Sequence, residues 1–276
     1  MAFGGVPVRE ALDSAVIAIA AAGSDTPRLD AELLLAHALG TDRTSLFLDP
    51  ARTVTGPAVQ AFQGFVRRRS ALREPVAYIL GSKGFRRIEL CVDARVLIPR
   101  PGTETLVEAA VAELSRGVRV MDVGTGSGAI ALALADERED LEIVATDISE
   151  DALSVARANA DRLGLAGRVS FVAADLLDGP FAAPDAIVSN LPYVAEADRP
   201  TLEPELSHEP ETALFAGDGL AVIRRLVEAI PDATRYVALE VGDTQADTVG
   251  ALFGAPWVTS TRRDLTGNQR VVVASR

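Results

Sequence analysis

Apolar residues recur at helical spacing over residues 8–22, and Ala11, Val16, Ile17 and Ile19 mark the expected buried face of a first helix. Thr26-Pro27 ends it. Residues 30–39 predict a second helix stopped at Gly40. Residues 45–48 predict a short third element, and Thr55-Gly56-Pro57 opens a longer helix to about residue 72. Together these predict a small helical bundle over residues 1–75. The pattern then changes. Residues 75–80 lead out, and residues 85–90 and 92–98 read as two tightly joined strands, a β-hairpin within a linker over residues 76–103. Pro99-Arg100-Pro101-Gly102-Thr103-Glu104 is a stiff turn, and Thr103 is suited to cap the helix that follows. From Leu106 onward short apolar runs alternate with helical ones. Strands are expected near 118–122, 142–146, 169–173, 185–189, 236–241, 256–260 and 270–274. This alternation predicts an α/β domain over residues 104–276, a mainly parallel, doubly wound, seven-stranded sheet. Such sheets bind ligands at the carboxyl ends of strands near the switch point.

Four of those strand ends carry candidate chemistry. The first runs into Gly124-Thr125-Gly126-Ser127-Gly128, a turn that lets a ligand approach the backbone. The second ends at Asp147, 21 residues beyond Gly126, a distance at which an acid commonly holds ribose hydroxyls. The third ends at Ala174-Asp175-Leu176, where Asp175 can face an adenine edge. Leu176 fits either a cover for that ring or the core.

The fourth ends at Asn190-Leu191-Pro192-Tyr193, a device for gripping a planar –NH2 group. The Asn190 side-chain oxygen accepts one N–H and the next backbone carbonyl accepts the other. Pro192 biases Leu191 toward extended geometry, and the ring of Tyr193 can cover the held plane. Gly124-x-Gly126-x-x-Ala129 also fits a dinucleotide fingerprint or a purely structural turn. Two features favour S-adenosylmethionine over NAD. Asp122 would repel a pyrophosphate but suits a sulfonium-bearing amino acid, and an amino-group grip has no role in hydride transfer.

Charge narrows the partners. Residues 1–90 carry 11 basic against 9 acidic residues, and residues 91–276 carry 16 against 30, within a total of −12. An acidic catalytic half argues against stable, sequence-independent nucleic-acid binding and leaves room for a protein substrate. Arg67-Arg68-Arg69 and Arg73 form either a solvated face or a contact for an acidic or RNA-bearing partner. Cys91 is the single cysteine, so no intrachain disulfide forms, which suits a reducing cytoplasm. His208 reads as a surface or capping residue and His37 as packing. No metal-ligand spacing, membrane span or signal-peptide core is expected.

Taken in order, several blocks resemble the protein-glutamine methyltransferases of peptide-chain release factors (PrmC/HemK type). They are Asp30-Ala31-Glu32-Leu33-Leu34-Leu35, Arg73-Glu74-Pro75-x-Ala77-Tyr78-Ile79-x-Gly81, Leu97-Ile98-Pro99-Arg100-Pro101, the glycine turn, Asn190 to Tyr193, Glu209-Pro210 with Ala213-Leu214, Glu240-Val241-Gly242-x-x-Gln245 and Asp264-Leu265-x-Gly267. The resemblance covers nearly the whole chain. It implies a Rossmann-like class I fold behind an N-terminal substrate-recognition domain. It also implies S-adenosylmethionine as cofactor, with S-adenosylhomocysteine as product, and a cytoplasmic, monomeric enzyme. The implied substrate is the glutamine of a release factor's Gly-Gly-Gln tip. Asn190 and Tyr193 would be catalytic, Asn190 to Tyr193 would bind substrate, and Gly124 to Gly128, Asp147, Asp175, Leu176 and Asn190 would bind cofactor. Two positions depart from the family: Leu191 stands where it has proline, and Gly102 where it has glutamate. Asn-Leu-Pro-Tyr is typical of ribosomal RNA adenine dimethyltransferases, so an adenine methyltransferase stays open, as does a silent cofactor-binding scaffold.

Overall fold

In the computed structural model, residues 5–276 are described, and they form two compact units. One runs through Gly81 and includes Pro204–His208. The other comprises Ser82–Glu203 and Glu209–Arg276.

The first unit contains β1 (Val6–Pro7), α1 (Val8–Ala21), α2 (Pro27–Leu39), α3 (Arg43–Leu48), β2 (Thr53–Val54), α4 (Pro57–Ala71) and α5 (Val76–Leu80). Proline at the first position starts α2 and α4, where its missing N–H costs nothing, and Gly40 closes α2 at φ 60°. The short antiparallel pair β1–β2 was not expected from the sequence. On α1 the buried stripe is Val8, Ala11, Leu12, Ala15 and Ile19. Ile17 falls on the opposite face and is 71% exposed, which corrects its assignment to the core.

The arginine cluster is also not the open face expected. Arg69 is buried, donating to Asp30 at 2.7 Å and to Glu205 at 2.5 Å, and Arg73 donates to Glu205 at 2.8 Å. Arg68 pairs with Glu74 at 2.5 Å. Only Arg67 of the run is exposed. His208 Nε2–H donates to the Leu72 carbonyl at 2.9 Å, just past the end of α4, in keeping with a capping role.

The second unit opens with a hairpin, β3 (Ser82–Phe85) and β4 (Ile88–Cys91). Its turn is Arg86-Arg87, with Arg86 at φ 50°, so the hairpin lies earlier than expected and residues 92–98 form no strand. Their apolar alternation is real, since Val92, Val96 and Ile98 are buried. Asp93 instead folds the segment into a turn, accepting Arg95 N–H at 3.0 Å on its side chain and Val96 N–H at 3.1 Å on its backbone.

There follow α6 (Pro101–Glu113), β5 (Arg119–Val123), α7 (Ala129–Glu137), β6 (Glu142–Asp147), α8 (Glu150–Leu163), β7 (Val169–Ala173), β8 (Ala186–Ser189), α9 (Glu211–Leu214), α10 (Ala221–Glu228), β9 (Tyr236–Glu240), α11 (Ala246–Leu252), β10 (Val258–Arg263) and β11 (Gln269–Ser275). The sheet order is β10-β11-β9-β8-β5-β6-β7. β5 to β9 are parallel, and β11 and β10 are antiparallel additions at one edge. β8 and β9 are buried at every position, as strands covered on both faces must be. The order reverses between β5 and β8. The carboxyl ends of these two strands therefore flank the crevice where a doubly wound sheet places its ligand.

Candidate active site

The loop after β5 is shaped by three glycines in the left-handed region, Gly124, Gly126 and Gly128, at φ 73°, 55° and 84°. At Gly126 a Cβ would meet nothing within 4 Å, so this backbone faces open space. At Gly128 a Cβ would come within 2.9 Å of Leu132, so that glycine lets α7 pack closely. The loop is tied down from several sides. Gly124 and Thr125 N–H groups donate to the Thr146 carbonyl at 2.8 and 2.9 Å. Asn159 on α8, fully buried, accepts Cys91 N–H at 2.7 Å and donates to the carbonyls of Cys91 at 3.0 Å and Ser127 at 2.9 Å.

Asp122 does not face a ligand. It is fully buried, and one oxygen accepts the Thr125 hydroxyl at 2.6 Å and Ala131 N–H at 3.1 Å, while the other has no partner among the described residues. It braces the turn from beneath. Burial pushes its carboxyl up to about 7, against the pull of those two donors. The folded protein therefore keeps a proton between about pH 4 and 7 that the unfolded chain has lost, and stability falls as pH rises through that window. Asp122→Asn escapes this loss. Its unfolding free energy, relative to wild type, should improve by about 2 kcal/mol between pH 5 and pH 8 in denaturant titrations. A difference that stays flat with pH would contradict the buried-proton account.

Asp147 ends β6 beside the glycine turn. Its two oxygens accept Gly126 N–H and Ser149 N–H, each at 2.9 Å. These bonds hold the carboxylate still and leave lone pairs toward the cavity. Burial raises its pKa, and the N–H donors oppose the rise. Ile148 follows, 68% exposed although apolar. An unburied isoleucine next to a fixed carboxylate suits a nucleoside with its ribose on the acid and its ring on the side chain.

A cavity of about 330 Å³ lies over these strand ends. Its wall includes Gly124, Thr125, Gly126, Ser127, Asp147, Asp175, Leu176, Asn190, Leu191 and Pro192. Gly128 and Tyr193, also expected in the site, are not in the wall. Asp175 pairs with Arg225 on α10 at 2.8 Å, a cation the sequence did not flag. Leu176, at φ 55°, both lines the cavity and packs on the core.

Asn190 follows β8. Its Nδ2 donates to the Thr103 hydroxyl at 3.2 Å, which leaves Oδ1 free to accept. Thr103 does not cap α6, since Arg100 holds that position without a side-chain bond and Thr103 sits in the first turn. Leu191 is buried against Gly124, filling the core beneath the loop. Tyr193 donates to Glu240 at 3.3 Å, and burial pushes its phenol up to about 12. Gln245 accepts Gly242 N–H and donates to the Tyr193 carbonyl, both at 2.9 Å, fixing the backbone after the grip. At Gly102 a Cβ would stand 3.2 Å from the Arg270 side chain, which would have to shift by a few tenths of an ångström to admit it.

The open backbone at Gly126, the anchored carboxylate of Asp147 and the exposed Ile148 can accommodate a nucleoside bearing a small amino-acid arm. Comparisons with known proteins agree with this chemistry. Residues 10–81 match a family described as the PrmC N-terminal domain, and residues 114–215 match a methyltransferase domain. The release factor glutamine methyltransferase of Deinococcus radiodurans is 42% identical over 98% of each chain. That of Mycolicibacterium smegmatis is 42% identical, again over 98% of each. That of Rhodospirillum rubrum is 41% identical over 96% of this chain and 84% of its own. Among solved structures, the hMettl16 catalytic domain in complex with the MAT2A 3′UTR hairpin 6 superposes with a TM-score of 0.52 and 16% identity, covering 82% of this chain and 84% of its own, a likeness of fold alone. With relatives this similar along their whole length, the chain belongs to the release factor glutamine methyltransferase family.

Proposed function

We propose that the protein transfers a methyl group from S-adenosylmethionine to the side-chain amide nitrogen of the glutamine in the Gly-Gly-Gln motif of peptide-chain release factors. The observation that carries this is Asn190, whose amide is anchored through Nδ2 while Oδ1 and the following carbonyl stay available at the cavity wall.

Bound S-adenosylmethionine supplies an electrophilic methyl group on its sulfonium sulfur. Asp147 would accept the ribose hydroxyls, Ile148 and Leu176 would flank the adenine, and Asp175 would meet its edge in competition with Arg225. The Gly124 to Gly128 turn would admit the methionine arm. Asn190 Oδ1 and the Leu191 carbonyl would accept the two N–H bonds of the substrate carboxamide. An amide nitrogen is a poor nucleophile because its lone pair is delocalised. Acceptors on both hydrogens return density to nitrogen and aim it, so positioning and electrostatics carry the rate. The proton leaves after transfer, and no general base is required beforehand. Tyr193 supports the grip, its hydroxyl held by Glu240.

The N-terminal domain, residues 1–75, would contribute release-factor recognition, with the hairpin linker (76–103) and methyltransferase domain (104–276) after it. A cytoplasmic monomer without stable nucleic-acid binding completes the proposal. Among the described residues no helix is long and apolar enough to cross a membrane.

Two experiments test this. Fragment mass spectrometry of a purified release factor after incubation should place one added methyl on the Gly-Gly-Gln glutamine, and a methyl elsewhere would refute the substrate assignment. Asp147→Ala should weaken S-adenosylmethionine binding in calorimetry by roughly 10- to 100-fold, the worth of one or two charge-assisted hydrogen bonds. Unchanged affinity would remove Asp147 from the cofactor site.

A further inference from the structure

Glu209 is a buried carboxylate, and a buried carboxylate is stable only where its oxygens are paired. Both are. Oε2 accepts Ile98 N–H at 3.0 Å, and Oε1 accepts from the guanidinium of Arg100. These partners lie 111 and 109 residues away along the chain. They sit on a stretch with few backbone bonds to hold it. Residues 92–98 form no strand, and Pro99 and Pro101 have no N–H to give.

Each end of this clasp carries cavity wall. Leu97 and Pro99 at one end line the cavity, and so do Pro210 and Ala213 at the other. Each end is also bonded to the grip. Three residues beyond Arg100, in the first turn of α6, the Thr103 hydroxyl accepts from Asn190 Nδ2 at 3.2 Å. Five residues beyond Glu209, the Leu214 carbonyl accepts the N–H of Val194 at 3.0 Å, directly after Tyr193. Glu209 therefore closes a ring. It runs from Asn190 through Thr103 and Arg100 to Glu209, on through Leu214 to Val194, and back along the grip. Closed, the ring holds Asn190 and the Leu191 carbonyl from both ends. Opened at Glu209, the two wall segments would be free to part, and the support of Asn190 would move with one of them.

We infer that Glu209 and Arg100 form a positioning pair for methyl transfer: their ion pair clasps the two wall segments that flank the grip, and so sets where the substrate amide meets the methyl group. This inference rests on the amide-gripping role given to Asn190 above.

The test is a double-mutant cycle on the full-length protein, with a purified release factor and labelled S-adenosylmethionine. Glu209→Gln keeps an acceptor for Ile98 N–H and loses the charge that holds Arg100. Arg100→Ala removes the partner at a part-exposed position, which leaves the core untouched. Each should lower kcat roughly tenfold, the cost of a small misplacement at the reacting centre. The KM for the release factor and the S-adenosylmethionine affinity by calorimetry should each change less than about threefold, because the clasp acts on the geometry of transfer. The double variant should be no more than about twofold slower than the slower single, since either change alone opens the clasp. Losses that multiply to about a hundredfold would show two independent residues and overturn the inference. So would either single variant turning over as fast as wild type, or a loss carried by KM alone. A purely structural role predicts kcat and cofactor affinity falling together with the thermal midpoint, and that pattern would overturn it too. Failure of the wild-type protein to methylate the release factor would instead overturn the reading beneath it.

Discussion

Replacing Asn190 with alanine should lower kcat by about 10²- to 10³-fold, the roughly 2.7–4 kcal/mol expected for removing one oriented hydrogen-bonding group from a transition state. The loss falls on kcat because the carbonyl grip strengthens as the amide nitrogen gives up its lone pair and its N–H bonds become more acidic. Cofactor affinity should stay within about tenfold, because the proposed ribose and turn contacts lie on Asp147 and the glycine loop. The protein should also stay folded: Asn190 is only partly buried, and Thr103 alone loses a partner to the change. Steady-state kinetics with cofactor calorimetry on the same preparation separates these effects. Full activity in Asn190→Ala would refute the grip, and loss of cofactor binding in equal measure would make Asn190 a cofactor residue.

The second large effect lies on stability. Asn159→Leu should cost about 3–5 kcal/mol and lower the thermal midpoint by about 10 °C. Asn159 is fully buried and joins three places: the β4 end at Cys91, α8, and the glycine turn at Ser127. Leucine is close in size but supplies neither donor nor acceptor. It would leave the buried Ser127 carbonyl and the part-buried Cys91 carbonyl and N–H without their Asn159 partner, and an orphan that water cannot reach costs about 1–3 kcal/mol. The turn proposed to receive the cofactor would loosen with it, so added S-adenosylmethionine should recover less of the midpoint than it gives wild type. A midpoint within two or three degrees of wild type would show that these groups find other partners.

What could be read from the chain depended on how local the cause was. The strand ends at Gly124, Asp147, Asp175 and Asn190 were legible because a short apolar run that stops at a glycine or a polar residue marks a strand end within a few positions of chain. The sheet does bring all four to one cavity. The last strands were less exact: β10 begins at Val258, after a turn in which Trp257 N–H donates to the Gly254 carbonyl, not near 256. Thr103 looked like a cap because its neighbours are a helix start. Its real partner, Asn190, is 87 residues away and invisible to any local pattern. Arg69 failed for the same reason, since Glu205 reaches it from 136 residues along the chain. The value of Asn159 lies wholly in such distant bonds, and that of Gln245 partly so, since it reaches the Tyr193 carbonyl 52 residues away. Residues 92–98 show the opposite limit: alternation marks burial, but a single Asp93 decides that the backbone turns.

The most direct measurement is methyl transfer from labelled S-adenosylmethionine to three substrates side by side. These are a purified release factor, the same factor with its Gly-Gly-Gln glutamine replaced, and naked ribosomal RNA. Label on the unaltered release factor alone is the expected result, since it requires the carboxamide, the motif and the cofactor together. Label on RNA with none on the release factor would contradict it and make the Asn190 grip a device for adenine. Cofactor binding without label on any substrate would contradict it too, and would make this chain a silent scaffold.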